Sequence, residues 1–188
     1  MDRPANNFRS PAEPILVAYS KNISELEDVI IAGAQPFSDD YIVLYLARGE
    51  GVLTIGLHLY LLDEGDVIFL RNNKRISLNS SEHSEAFFCY LRIGAENENE
   101  QRILRYLRDY PHFAAENAVV YCGNEAGKAV EECFKKMLEE QYRQYELAVR
   151  AKLLQFEMLL FLVSRIGRGA PQRYFLTPSH TEYKYKTN

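Results

Sequence analysis

The 188-residue sequence has no tryptophan, three cysteines, four histidines and no long apolar run. Each shortage excludes something. Its apolar stretches stop well short of the roughly 18–20 residues that a helical membrane span needs. Cys89, Cys122 and Cys133 follow no metal-binding spacing, and an odd set of three does not read as a disulfide framework. A reduced, cytoplasmic chain is the simplest expectation. The histidines, His58, His83, His112 and His180, are scattered, and no Ser-His-Asp or Cys-His arrangement can be built on them. No glycine is followed by the Lys-Ser or Lys-Thr of a phosphate-binding loop. Positive charge is not in excess: 22 Lys+Arg against 26 Asp+Glu leave a net charge of −4. That argues against a chain built as a whole to coat nucleic acid. The opening MDRPANNFRSPAEP is polar and carries no signal-peptide pattern.

What is present is core-forming material. The apolar fraction is 47%, with 13 Tyr and 10 Phe, enough for one generous domain. Residues 14–93 read as short strands: PILVAYS (14–20), DVIIAG (28–33), YIVLYL (41–46), VLTI (52–55), HLYLL (58–62), VIFL (67–70), RISL (75–78) and AFFCYLRI (86–93). Arg48-Gly49-Glu50-Gly51 and Asp63-Glu64-Gly65-Asp66 are turn signals, with glycine supplying the positive φ. Short strands at this spacing predict a sandwich or barrel.

Residues 98–167 read as helices. In 98–110, Ile103, Leu104 and Leu107 share a face, and Pro111 stops the helix. Asn124 is a candidate cap for a helix running to about Gln141, with Val130, Phe134, Met137 and Leu138 as its apolar stripe. Glu131 with Lys135 and Glu132 with Lys136 are i,i+4 pairs in the favourable order. The last helix, about 143–166, contains LLQFEMLLFLV (153–163), which is apolar nearly all round. Outside a membrane such a helix must be covered on two sides. Leu147, Leu154, Met158 and Phe161 form one seam, and Leu153, Phe156, Leu160 and Val163 the opposite one. One seam is expected to meet the rest of the chain and the other a second copy. The sequence leaves open which is which, and also leaves open that the preceding helices cover both.

The order Gly49-x-Gly51, then Gly65-Asp66 with VIFL, within Tyr41–Ile93, resembles a cupin barrel. A barrel followed by helices ending in LLQFEMLLFLVSR resembles the N-terminal effector-binding and dimerisation domain of AraC-type transcriptional regulators, over about residues 15–167. The resemblance implies a mainly β fold, a double-stranded β-helix (jelly-roll) barrel with C-terminal helices. It implies an arm at 1–13, a barrel at 14–97, a helical dimerisation region at 98–167 and a tail or linker at 168–188. It also implies a DNA-binding helix-turn-helix domain, for which 168–188 has neither helical period nor room.

Many cupins are metal enzymes, so the family's ligand positions matter. The cupin glutamate, seven residues before Gly49, falls on Ile42 here. The paired histidines fall near Pro36 and Ser38, and no histidine occurs before position 58. The last histidine, eleven residues after Gly65, falls on Ile76, and the motif's Pro and Gly fall on Arg71 and Asn73. The ligand types that suit first-row divalent metals are gone from all four positions. No metal, no cofactor and no metal-dependent catalysis are expected.

Strand side chains alternate faces. With Ile42 inward, Leu44 and Leu46 follow; with Ile76 inward, Leu78 follows. Tyr60 and Leu62 join them, and the last strand is expected to turn Phe87, Cys89, Leu91 and Ile93 inward with Tyr90 and Arg92 outward. Tyr19 and Tyr60 are candidate polar handles. A lining this apolar predicts a hydrophobic or aromatic effector and not a sugar, whose buried hydroxyls would each cost about 1–3 kcal/mol unpaired. A barrel filled by its own side chains, binding nothing, is equally consistent. Cys89, in an apolar strand, reads as an inert core thiol. The first expectation is therefore a non-catalytic sensing and dimerisation module. The rivals are a standalone metal-free cupin enzyme and a binding or assembly protein with an inert barrel.

Overall fold

Alternating and doubly apolar strands dominate the first half of the chain, and they pair into two antiparallel sheets. The computed structural model describes residues 14–23, 41–71, 76–81, 83–92, 98–113, 118–143 and 147–166. The strands are β1 (Ile15–Ser20), β2 (Tyr41–Arg48), β3 (Glu50–Ile55), β4 (His58–Asp63), β5 (Asp66–Arg71), β6 (Ile76–Ser80), β7 (Glu85–Leu91) and β8 (Val119–Tyr121). The helices are α1 (Glu98–Arg108), α2 (Gly123–Tyr142) and α3 (Ala148–Ile166), with a 3-10 turn at Pro111–Phe113. A five-stranded sheet runs β1-β7-β2-β5-β8 and a three-stranded sheet runs β4-β3-β6. Facing each other they form the jelly roll, with the helices on the far side of the larger sheet. The segment 28–33, expected as a strand, lies outside the described residues, as do the arm 1–13 and the tail 168–188.

The larger sheet is buried on both faces, which explains why β2 and β5 are continuous apolar runs and not alternating ones. One face contributes Ile42, Leu44, Leu46, Ile68, Leu70 and Phe88 to the barrel core. The other contributes Tyr41, Val43, Tyr45, Phe69 and Phe87 to a second core shared with the helices. The smaller sheet has one wet face: Leu53, Ile55, Tyr60, Leu62 and Leu78 point in, while Leu59, Leu61, Ser77 and Asn79 are exposed.

In the helices, Ile103, Leu104 and Leu107 are buried, as are Val130, Phe134 and Met137. The Glu131–Lys135 and Glu132–Lys136 pairs form, at 2.8 and 3.8 Å. Two expectations are corrected. Residue 124 does not cap α2: the helix starts one residue earlier, after Cys122, with no side-chain cap bond. And residues 98–167 are not wholly helical, because β8 pairs with β5 (Asp66↔Tyr121 to Ile68↔Val119) and completes the large sheet.

α3 is fixed by one face. Phe156, Leu159, Leu160 and Val163 are fully buried against the rest of the chain. Tyr110 Oη donates to the Leu160 carbonyl at 2.9 Å, and Arg102 pairs with Glu157 at 3.0 Å, joining α3 to the α1 region.

Candidate functional site

The barrel interior is the first candidate. Ile42, Leu44, Leu46, Tyr60, Leu62, Ile76 and Leu78 lie together inside it. Ile42 and Ile76 occupy two positions where a metal cupin would present ligand atoms, and hydrocarbon stands there instead. Pro36, Ser38 and Asn73 lie outside the described residues. Among the described residues, no three His, Cys, Asp or Glu side chains gather as a metal set.

The last strand has the opposite phase from the expected one. Residues directly across an antiparallel ladder share a face. In the β2–β7 pairing, Ile42 stands opposite Tyr90, Leu44 opposite Phe88 and Leu46 opposite Ala86. Tyr90, Phe88 and Ala86 therefore line the barrel, with the Phe88 and Tyr90 rings stacked at 6.4 Å. Phe87, Cys89 and Leu91, expected inside, stand opposite Tyr45, Val43 and Tyr41 and belong to the helix-side core. Their outer face is covered by helices, so apolar residues suit both sides and the alternation carries no polar marker of phase. Ile93 lies outside the described residues. Tyr19 is likewise not in the barrel: it pairs with Phe87 across β1–β7 and shares its face.

Sequence reasoning missed two polar features on this face, one exposed and one buried. Arg92 donates to Tyr90 Oη at 2.8 Å and lies 5.6 Å over its ring. Ser80 Oγ, on the Leu78 face of β6, is buried without a hydrogen-bond partner. Among the described residues, the rest of this cluster is aliphatic and aromatic and nearly all of it is closed to solvent, while the buried Asp66, at the start of β5, accepts from the Asp63 amide at 2.8 Å.

A second concavity lies on the opposite face of the large sheet. It is a cleft of about 410 Å³ between the ends of β1, β2 and β7 and the side of α2. Phe87, Ala47 and Leu138 supply its apolar surface, and Tyr19, Arg48, Glu85, Glu131 and Lys135 its polar surface. The Tyr19 hydroxyl donates to Glu85, and this bond, with burial, pushes the phenol up to about 12. Arg48 reaches the same carboxylate at 3.4 Å. Tyr45, beside Phe87 and Phe134, is pushed up to about 12 by burial. These phenols are neutral donors at physiological pH.

Among the described residues, the histidines offer no reacting centre. His83 is exposed, His58 begins β4, and His112 stacks on Phe69 at 5.5 Å. Cys89, Cys122 and Cys133 are free and buried, and burial raises the pKa of each thiol. A raised thiol pKa opposes nucleophilic use.

The third candidate is the outer face of α3. Leu147, Leu154, Met158 and Phe161 are each more than half exposed, whereas the opposite seam, Phe156, Leu160 and Val163 with half-buried Leu153, packs inward. Which seam faces the chain is thus settled.

No curated protein sequence matches the chain. Among solved structures it is similar to the AraC-like transcriptional activator CuxR, with 9% identity and a TM-score of 0.47 over 89% of this chain and 52% of that one. It is also similar to ToxT from Vibrio cholerae O395, crystallised with (E)-4-(8-methylnaphthalen-1-yl)but-3-enoic acid, with 14% identity and a TM-score of 0.42 over 82% of this chain and 56% of that one. A likeness to oxalate decarboxylase OxdC of Bacillus subtilis has 12% identity and a TM-score of 0.26, over 50% of this chain and 23% of that one. The chain spans about half the length of the two regulators. The family model for the AraC-like ligand binding domain matches residues 34–156, most of the described fold, and the chain belongs to that family.

Proposed function

We propose that this chain is the small-molecule sensing and dimerisation domain of an AraC-type transcriptional regulator, and that it is not a catalyst. The family match carries the sensing half of this reading. The observation that carries the dimerisation half is the seam Leu147, Leu154, Met158 and Phe161, exposed along α3 and the residue before it, while the opposite seam packs inward. DNA contact is assigned to a helix-turn-helix domain outside 1–188, with 168–188 as its linker, 1–13 as an arm, 14–97 as the barrel and 98–167 as the dimerisation region. Free cysteines fit a cytoplasmic location.

The barrel effector is a small apolar or aromatic molecule. Ile42, Leu44, Leu46, Tyr60, Leu62, Ile76 and Leu78 offer it hydrocarbon, and Phe88 and Tyr90 offer ring faces. The unpartnered Ser80 hydroxyl is a hydrogen-bonding handle. A thermal-shift screen tests this: stabilisation by aromatic compounds supports it, and stabilisation by sugars alone overturns it. Light scattering tests dimerisation, and a monomer at high micromolar concentration rejects it.

One observation favours a second reading, an assembly protein with an inert barrel: the interior side chains already pack as one continuous cluster. Dimerisation without any ligand response in the same screen would select it.

A further inference from the structure

The cleft beside α2 is built in layers. The Phe87 ring is almost wholly buried, and the Tyr19 ring lies 4.8 Å from it. Next come two carboxylates, Glu85 and Glu131, whose side chains are 25% and 29% exposed. Outermost are two cations, Arg48 and Lys135, at 70% and 52%. Each carboxylate is answered by the chain's own cation, Glu85 by Arg48 at 3.4 Å and Glu131 by Lys135 at 2.8 Å.

This layering selects a sign of charge. Long exposed cations give up side-chain freedom to hold such pairs, and exposed pairs hold weakly. The carboxylates sit on short, better-buried attachments, one at the start of β7 and one on α2. Aromatic faces attract cations and not anions. A visiting ammonium would thus meet the better-buried part of the site, with the exposed Arg48 and Lys135 turning into water. A visiting carboxylate would meet only the outer cations, away from the apolar surface of Tyr19, Ala47 and Leu138. The volume of about 410 Å³ falls within the range of small-molecule sites.

We propose that this cleft binds a primary arylalkyl amine, whose ammonium takes Glu85 and Glu131 from Arg48 and Lys135 while its hydrocarbon part lies on Tyr19 and Leu138. The site is outside the barrel and does not depend on the barrel holding an effector. Its ligand would bridge β1, β2 and β7 to α2, which packs on α3. Occupancy would therefore be felt at the helix pair that carries the exposed seam.

The test is a titration of the 15N-labelled chain with phenethylamine at low salt, beside 2-phenylethanol and hydrocinnamate as neutral and anionic counterparts. Phenethylamine is expected to shift the amides of Tyr19, Glu85, Phe87 and residues 131–138 saturably, and added salt to weaken it. Glu131→Gln and Glu85→Gln, with folding verified by circular dichroism, should each weaken binding about tenfold or more. Arg48→Ala and Lys135→Ala should leave binding equal or tighter. Absence of saturable shifts, equal binding of the alcohol or the acid, or unchanged affinity in both glutamate variants overturns the proposal. Shifts confined to Ile42, Leu44 and Leu78 would also overturn it, while supporting an effector site in the barrel.

Discussion

The Lys152 ammonium donates to the main-chain carbonyl of Ile15 at 3.0 Å, across 137 positions of sequence. It also donates to Gln141 Oε1 at 2.8 Å, and that oxygen accepts from the Val17 amide at 3.4 Å. β1 is an edge strand, and edge strands need cover for their outward backbone groups. Side chains from α2 and α3 supply it here. Lys152 is 1% exposed, and a buried charge is tolerated only when well hydrogen-bonded.

Lys152→Met keeps the hydrocarbon stem and removes the donors. The Ile15 carbonyl and Gln141 then lose a shared partner in a buried place, at a cost of about 1–3 kcal/mol. Urea denaturation should show that loss, and the Val17 amide should exchange faster. An unchanged urea midpoint would mean that β1 is held by its β7 ladder alone.

Alkaline pH should destabilise the fold. Burial pushes Tyr45 and Cys122 up to about 12 and raises Cys89 and Tyr110 as well. The unfolded chain ionises near the ordinary values of 9.0 for Cys and 10.0 for Tyr, while the native chain keeps its protons. Above pH 9 the native state therefore binds more protons than the unfolded one, and stability falls as pH rises. Melting followed by circular dichroism should give a Tm that is level from pH 7 to about 9 and drops steadily beyond it. At pH 8 a thiol reagent should label the native chain slowly and all three cysteines at once in guanidinium.

Gly49 separates β2 from β3 at φ +96°, and a Cβ there would lie 2.5 Å from Ser84 Oγ and 2.8 Å from Ser84 Cα. Ser84 is fixed, since its hydroxyl donates to the Glu50 carbonyl at 3.0 Å and its carbonyl accepts from Ile23. Gly56, at φ +61°, has open space around it. Gly56→Ala should cost about 1–2 kcal/mol from backbone strain alone. Gly49→Ala adds a backbone clash and should cost clearly more. Paired urea curves check the order, and equal costs would mean that the Ser84 loop yields.

How much of this could be read from the sequence depended on whether a segment had one wet face. The seam Leu147, Leu154, Met158 and Phe161 was legible because helical spacing separates it from Phe156, Leu160 and Val163. The inward set Tyr60, Leu62 and Leu78 was legible because exposed residues such as Ser77 and Asn79 alternate with its members. β7 was not legible: covered on both faces, it gave Phe87, Cys89 and Leu91 no advantage over Phe88 and Tyr90 for the barrel side. Only its register against Ile42 decides. The cleft was not legible either, because Tyr19, Arg48, Glu85 and Glu131 come from four elements and meet only in the folded chain. β8 is three residues long, too short to announce itself by period.

The exposed seam makes the final prediction. Met158 and Phe161 are three positions apart on one face of α3, and Arg165 lies 5.7 Å over the Phe161 ring. Burying one such side chain at an interface is worth about 1.5–3 kcal/mol. Placing a carboxylate there loses that gain and sets like charges together across a symmetric contact. Met158→Glu with Phe161→Glu should therefore raise the dissociation constant of the proposed dimer at least about a hundredfold. Leu57→Glu, at an 80% exposed residue in the β3–β4 turn, is the matched control and should leave it unchanged. Because all three side chains are exposed in the single chain, the far-ultraviolet circular dichroism should stay the same. Sedimentation equilibrium reads the difference: an association unchanged by the double variant would move the interface off α3, whereas its loss with the fold intact would fix it there.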